Sequence, residues 1–316
     1  MKVAALVGER KFVIEEKEIP AIGRDEALVR IMACGVCLSE LPLWLGEREV
    51  SYPSYLGHEV SGIVEKTGSG VKDFKQGDRI TAVLWGRGYS EYVNIPEKDL
   101  IKIDSRIPFK EALGEPIGCC ISAMKRCGIT IGDVVAIAGT GFMGLILLQL
   151  IHGYGASKVI AIDVRDKNLS LARKLGADIT LNSQSGDLVD EVLKLTEDGR
   201  GVDVVLEVAG KQETLDICSK IVRIRGRMLI VGYHSVGIRT VDMEQWNWKG
   251  IDVINAHERD KGIYYDSIKI GMDLLSAKRF TLKPLVTHLF KLDEINDAFQ
   301  AAYEKPDCFI KSVVVV

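Results

Sequence analysis

At 316 residues the chain is long for a single hydrophobic core, so two domains are expected. With 47% apolar residues, 27% charged residues and a net charge of −3, it offers no basic surface for nucleic acid or an anionic membrane. The longest apolar run, Val134 to Ile151, is interrupted by glycines and too broken to span a membrane, and the opening MKVAALVGERKF lacks a signal-peptide core, so a cytoplasmic location is expected.

The first hundred residues read as β-rich. Strand-like runs cover Lys2 to Val7, Ala27 to Ala33, Val60 to Glu65 and Arg79 to Val83, with turn signals at GSG (68–70) and QGD (76–78) between them. Near residue 117 the texture changes to strands alternating with helices. DVVAIAG (133–139), KVIAID (158–163), VDVVLEVAG (202–210) and GRMLIVGY (226–233) read as strands. GLILLQLIHGYG (144–155), KNLSLARKLGA (167–177) and KQETLDICSKIV (211–222) read as helices. Nearly all-apolar strands that alternate with helices predict a parallel sheet covered on both faces. Two amphipathic helices follow, in DSIKIGMDLLSAKRF and LDEINDAFQAAYEK. The closing strand FIKSVVVV is expected to pair back into the first domain. The organisation predicted is a doubly wound α/β domain inserted into a mostly β domain, with ligands favoured in the cleft between them.

The seven cysteines, an odd number, argue against a disulfide framework and leave metal ligation or nucleophilic chemistry for any special cysteine. In AIAGTGFMG, Gly139, Gly141 and Gly144 form G-x-G-x-x-G between an apolar strand and a helix, with Phe142 and Met143 inside the motif. Such glycines permit a tight turn, close approach of a pyrophosphate and close helix–strand packing, while the helix N-terminus presents free N–H groups to the phosphates. The next strand ends in Asp163, 19 positions after Gly144. An acid there accepts from ribose hydroxyls and repels a 2′-phosphate, which favours NAD over NADP; Arg165 nearby pulls the other way. The alternative is a structural glycine turn beside a solvated Asp.

Zinc takes Cys, His and carboxylate ligands and leaves one position open in catalytic sites. Cys37 in CGVC, His58 and Glu59 in LGHEVSG, and Glu115 in LGEPIG supply these types. Taken singly, each has a plainer alternative: a buried thiol, a hydrogen-bonded histidine, a solvated loop acid.

Together, ACGVCLSE, LGHEVSGIVEKTGSGVKDFKQGDRI, AGTGFMG with AID, and the closing LVTHLFKLDEINDAFQAAY resemble the zinc-dependent medium-chain dehydrogenase/reductase family, and the likeness covers essentially the whole chain. It implies a Rossmann doubly wound sheet (118–254) inserted into a GroES-like β-rich catalytic domain (1–117 plus 255–316). It further implies Cys37, His58 and Glu115 as zinc ligands, as in sorbitol- and threonine-type members, with Glu59 beside the metal. Ser39 would be the first proton acceptor from a substrate hydroxyl, and Lys311 would reach the pyrophosphate. The chemistry implied is interconversion of a secondary alcohol (a polyol, sugar, cyclitol or hydroxy-amino acid) and its ketone, by proton removal through Ser39 and hydride transfer to NAD. A homodimer or homotetramer is implied, with residues 226–238 as a candidate edge strand.

Three departures stand out. No cysteine lies between 38 and 118, so one catalytic zinc and no structural zinc is expected. The acid after Ser39 is Glu40 rather than the usual Asp, and Pro42 replaces a relay histidine. Trp44, Trp85, Arg87, Tyr89 and Ile117 are the candidate pocket residues, with packing roles as the alternative for both tryptophans. Two competing readings are a zinc-free quinone-reductase-like enzyme and a non-catalytic NAD-binding sensor.

Overall fold

The computed structural model describes residues 1–184 and 186–316. Its backbone divides into two units, Met1–Gly118 with Lys261–Val316, and Cys119–Asp260; the first division falls within a helix.

The chain begins with a hairpin, β1 (Lys2–Gly8) on β2 (Lys11–Glu16), whose inward residues Leu6 and Phe12 join the core of the first unit. Then come β3 (Glu26–Gly35), a short α1 (Leu41–Trp44), β4 (Glu59–Thr67), β5 (Arg79–Val83), β6 (Tyr92–Pro96), β7 (Leu100–Lys102) and α2 (Gly114–Cys127). The β-branched and small residues of β3 and β4 bury Val29, Ile31, Val60 and Val64, as a half-buried pleated surface requires.

The second unit alternates strand and helix. Its elements are β8 (Val134–Ala138), α3 (Phe142–Ile151), β9 (Lys158–Asp163), α4 (Asp166–Lys174), β10 (Ile179–Asn182), α5 (Leu188–Lys194), β11 (Val202–Glu207), α6 (Gln212–Ile221), β12 (Val222–Ile230), α7 (Met243–Lys249) and β13 (Asp252–Asn255). The strands form one parallel sheet in the order β10-β9-β8-β11-β12-β13. The order reverses at β8, and ligands of such sheets bind outside the carboxyl ends of the strands at that point. Residues 226–238 do not form the edge expected from the sequence. β12 lies between β11 and β13, and the four-residue β13 is the edge.

The chain returns to the first unit through α8 (Lys261–Ser276), β14 (His288–Lys291), α9 (Ile295–Glu304) and β15 (Ser312–Val315). The sheet there runs β14-β15-β3-β4-β5-β7, with β6 on the N-terminal half of β3. The last strand pairs antiparallel with the C-terminal half of β3, Val313 to Val315 opposite Gly35 to Ala33, as the sequence suggested. On the other side of β3, Gly35 faces Glu59 of β4. This register brings the residues that follow β3 and precede β4 together at one end of the sheet. Among the described residues no helix is long and apolar enough to cross a membrane.

Candidate active site

At that end of the sheet Cys37, His58 and Glu59 each offer a ligand atom, and the three atoms lie within 4.8 Å of one another. Their orientation is fixed from behind. Glu40, the buried residue just before α1, accepts from the Gly57 N–H at 2.8 Å and is 2.8 Å from His58 Nδ1, both through Oε1, while its Oε2 accepts from the Tyr89 hydroxyl at 2.7 Å. A carboxylate on Nδ1 puts the ring proton there and leaves Nε2 free to ligate. Burial disfavours a charge on either partner. Even so, His58, the Tyr89 hydroxyl and the Gly57 N–H keep Glu40 ionised below the usual carboxylate range. At His58 burial works against a charge, while the Glu40 carboxylate and the Cys37 sulfur raise the pKa of the ring above the usual histidine value. The sulfur, nitrogen and oxygen donors match zinc.

Glu59 is buried and carries a second partner. Lys311 of the segment before β15 places Nζ 2.8 Å from Glu59 Oε1 and 2.7 Å from Oε2. Burial works against the ammonium, but Glu59 and Cys37 keep it charged. A side chain at Gly35 would set its Cβ 2.0 Å from Glu59 Oε2, so only glycine leaves room for this acid. The sequence reading gave Lys311 to the pyrophosphate; the structure places its ammonium on Glu59. Ser39 donates from Oγ to Cys37 Sγ at 3.1 Å. Glu115 sits in the first turn of α2, where burial raises its pKa, His58 lowers it, Glu59 raises it, and a Tyr264 hydrogen bond and Lys311 lower it. It therefore senses the Cys37–His58–Glu59 group electrostatically. None of the cysteines, Cys37 included, is in a disulfide. Cys34 is buried, and burial, then Glu40 and Glu59, keep it a neutral thiol.

The pocket candidates separate. Trp44 is in the core against Phe299 and Tyr303, with the Arg10 guanidinium 5.5 Å from its ring, and Ile117 is fully buried. Tyr89 is fully buried too. Trp85 is 89% exposed, and Arg87, at φ 65°, is exposed as well.

In the second unit the glycine loop joins β8 to α3. Gly139 has φ 104°, and a Cβ at Gly144 would lie 2.0 Å from the Gly139 carbonyl oxygen, so the helix can lean on the turn only without a side chain there. Gly141 is the N-cap of α3 and faces open space. Phe142 is buried and Met143 half-buried. Asp163, at the end of β9, ties the loop down. Its Oδ2 accepts from the Thr140 N–H at 2.7 Å and hydroxyl at 3.0 Å, and its Oδ1 from the Arg165 N–H at 2.9 Å.

Two family models match the chain: an alcohol dehydrogenase GroES-like domain over residues 23–105 and a zinc-binding dehydrogenase over residues 143–272. Sorbitol dehydrogenase of Gallus gallus is 30% identical over 91% of this chain and 89% of its own length. The chain belongs to the zinc-dependent medium-chain dehydrogenase family. Another member, sorbitol dehydrogenase of Bacillus subtilis, is 29% identical across 98% of this chain and 95% of its own. A solved structure from Sinorhizobium meliloti, described as a zinc-binding dehydrogenase bound to NADP, superposes with a TM-score of 0.89 at 26% identity, covering 100% and 99% of the two chains. Tyr89 and Lys311 are the site residues whose contacts sequence reasoning missed. The signal for Lys311 was a lone charge in the closing run FIKSVVVV.

Proposed function

We propose that the chain is a zinc- and NAD-dependent dehydrogenase that interconverts a secondary alcohol of the polyol type and its ketone. The observation that carries this reading is the convergence of Cys37, His58 and Glu59 within 4.8 Å, with His58 held by Glu40. When bound, zinc polarises the substrate C–O group and NAD accepts or returns hydride. Cys37 Sγ, His58 Nε2 and a carboxylate from Glu59 or Glu115 hold the ion. Glu59 is paired with Lys311, and this fits it to an alternating role; Glu115 then serves as the steadier third ligand. Ser39, whose hydroxyl rests on Cys37 Sγ, would turn that hydrogen toward water or a cofactor hydroxyl and release it as its oxygen takes up the substrate proton. From Ser39 the proton leaves by water or a cofactor hydroxyl, because Pro42 can carry none. In the second unit, Gly139, Gly141 and Gly144 with the N-terminus of α3 cradle the pyrophosphate. Asp163 Oδ1, with one acceptor position left, takes a ribose hydroxyl. That favours NAD, while the NADP bound to the Sinorhizobium meliloti protein keeps the choice of cofactor the first thing to measure. The relatives support a small alcohol or ketone substrate, and a homo-oligomer is expected.

The test is zinc per chain together with NAD and NADP reduction across a polyol and amino-alcohol panel. About one zinc per chain and turnover with NAD support the reading. A chain that binds NAD but no zinc overturns it.

A further inference from the structure

We propose that Tyr89 is a positioning residue of the metal site: its hydroxyl clamps Glu40, and through Glu40 it aims His58 at the ion. The inference rests on the zinc reading above and extends it to a residue placed among the pocket candidates by the sequence.

The carboxylate of Glu40 divides its work. Oε1 serves the Gly57 N–H and His58 Nδ1, both at 2.8 Å, and Oε2 serves Tyr89 at 2.7 Å. The phenol also lies 3.2 Å from the Gly35 carbonyl. It has one hydrogen, and the shorter contact to an ionised oxygen takes it. The ring cannot drift. It is fully buried, edge-on to Phe12 at 6.5 Å and to Phe299 at 5.7 Å between centroids. Phe12 comes from the opening hairpin and Phe299 from α9, so the packed core of the unit fixes the hydroxyl. Glu40 needs that anchor because Glu has one more rotatable bond than the Asp usual at this position. An unanchored Glu beside a histidine can turn its carboxylate and swing the ring with it. With Tyr89 in place, Oε2 is pinned and Oε1 can face only Gly57 and His58. The burial of Glu40 makes this strict, since an Oε2 without a donor in the core would seek another and pull Oε1 off the imidazole.

The test is Tyr89→Phe, which removes one hydroxyl and keeps the ring in its aromatic cage. Zinc affinity, read by competition with a chromophoric chelator, should fall about tenfold or more, the range seen when partners of metal-bound histidines are removed. Cobalt-substituted protein should show a changed visible spectrum. The same substitution made on Glu40→Leu, or on Glu40→Ala should the Leu variant not fold, should have no further effect, because the path through Glu40 is already broken. Unchanged affinity and spectrum in Tyr89→Phe, or losses that simply add in the double variant, overturn the proposal and leave the zinc reading standing. A wild-type chain that takes up no zinc overturns both.

Discussion

In the proposed site around Cys37 and His58 the working groups are side chains: a thiol, an imidazole held by Glu40, and a buried carboxylate held by Lys311. In the proposed cofactor loop around Gly139 to Gly144 they are backbone: the N–H groups that open α3 and the space left where side chains are missing. At the first kind of site a ligand atom can be lost with little change in structure and a large change in function, while the buried pair behind it carries stability. The second ties function to local shape, so a change there is felt as stability and ligand binding together.

The sharpest way to break this contrast is Cys37→Ser. The sulfur is half-buried and the change small, so unfolding of the metal-free chain should barely move. The catalytic efficiency kcat/KM should fall roughly a thousandfold, since a metal contributes several kcal/mol to the transition state. Zinc content and steady-state kinetics decide it, and near-normal turnover would put the metal elsewhere. Next in size is Lys311→Met, which leaves the Glu59 carboxylate buried without its cation. Urea unfolding in a chelator should show a loss of about 3 kcal/mol. Added zinc should shrink that loss, since Glu59 is in the metal group; a loss that ignores zinc would separate the ion pair from the site. Gly144→Ala tests the other unit. Its Cβ would press on the Gly139 carbonyl, and about 2 kcal/mol should be lost together with affinity for NADH, followed by fluorescence titration. If stability falls while NADH binding holds, the link between shape and function in that unit is broken.

The smallest effect is one of pH. Asp203 is buried, which favours its neutral form, yet the Val134 N–H at 2.7 Å and the Arg223 Nε at 2.6 Å hold its pKa below the usual range. A lowered folded pKa gives stability that is present above the unfolded value, near about 4, and lost as pH falls through the folded one. Asp203→Asn should therefore cost about 1 kcal/mol at neutral pH and flatten the decline of stability below about pH 5. An unchanged slope in urea titrations at several pH values would remove Asp203 from that account.

Much of the fold was legible because its signals are local. The residues of β9 were read end to end, and the alternation of apolar strands and helices foretold the parallel sheet. The glycine loop was legible because its spacing reports backbone needs. Cys37, His58 and Glu59 were legible as residue types, and the β3–β4 register explains why they meet. What was hidden depends on partners distant in the chain. Nothing near Lys311 in sequence announces Glu59, and nothing near Tyr89 announces Glu40. Trp44 read equally well as pocket or core until Phe299 and Tyr303 were found against it. The edge of the parallel sheet was misplaced by one strand because the four-residue β13 is too short to be read from its sequence.

The pairing of Gly35 with Glu59 has one more consequence. Cys37 and His58 lie just beyond strand ends that are already hydrogen-bonded, and residues 38–57 loop out between them. An ion held by both acts as a cross-link across the mouth of that loop. The strands have already met most of the entropy of bringing the ends together, so the cross-link forms at little extra conformational cost. The same geometry makes the clasp local. The ion can leave when the loop opens, without β3 parting from β4, so metal exchange should run faster than unfolding of the unit and be limited by that one segment.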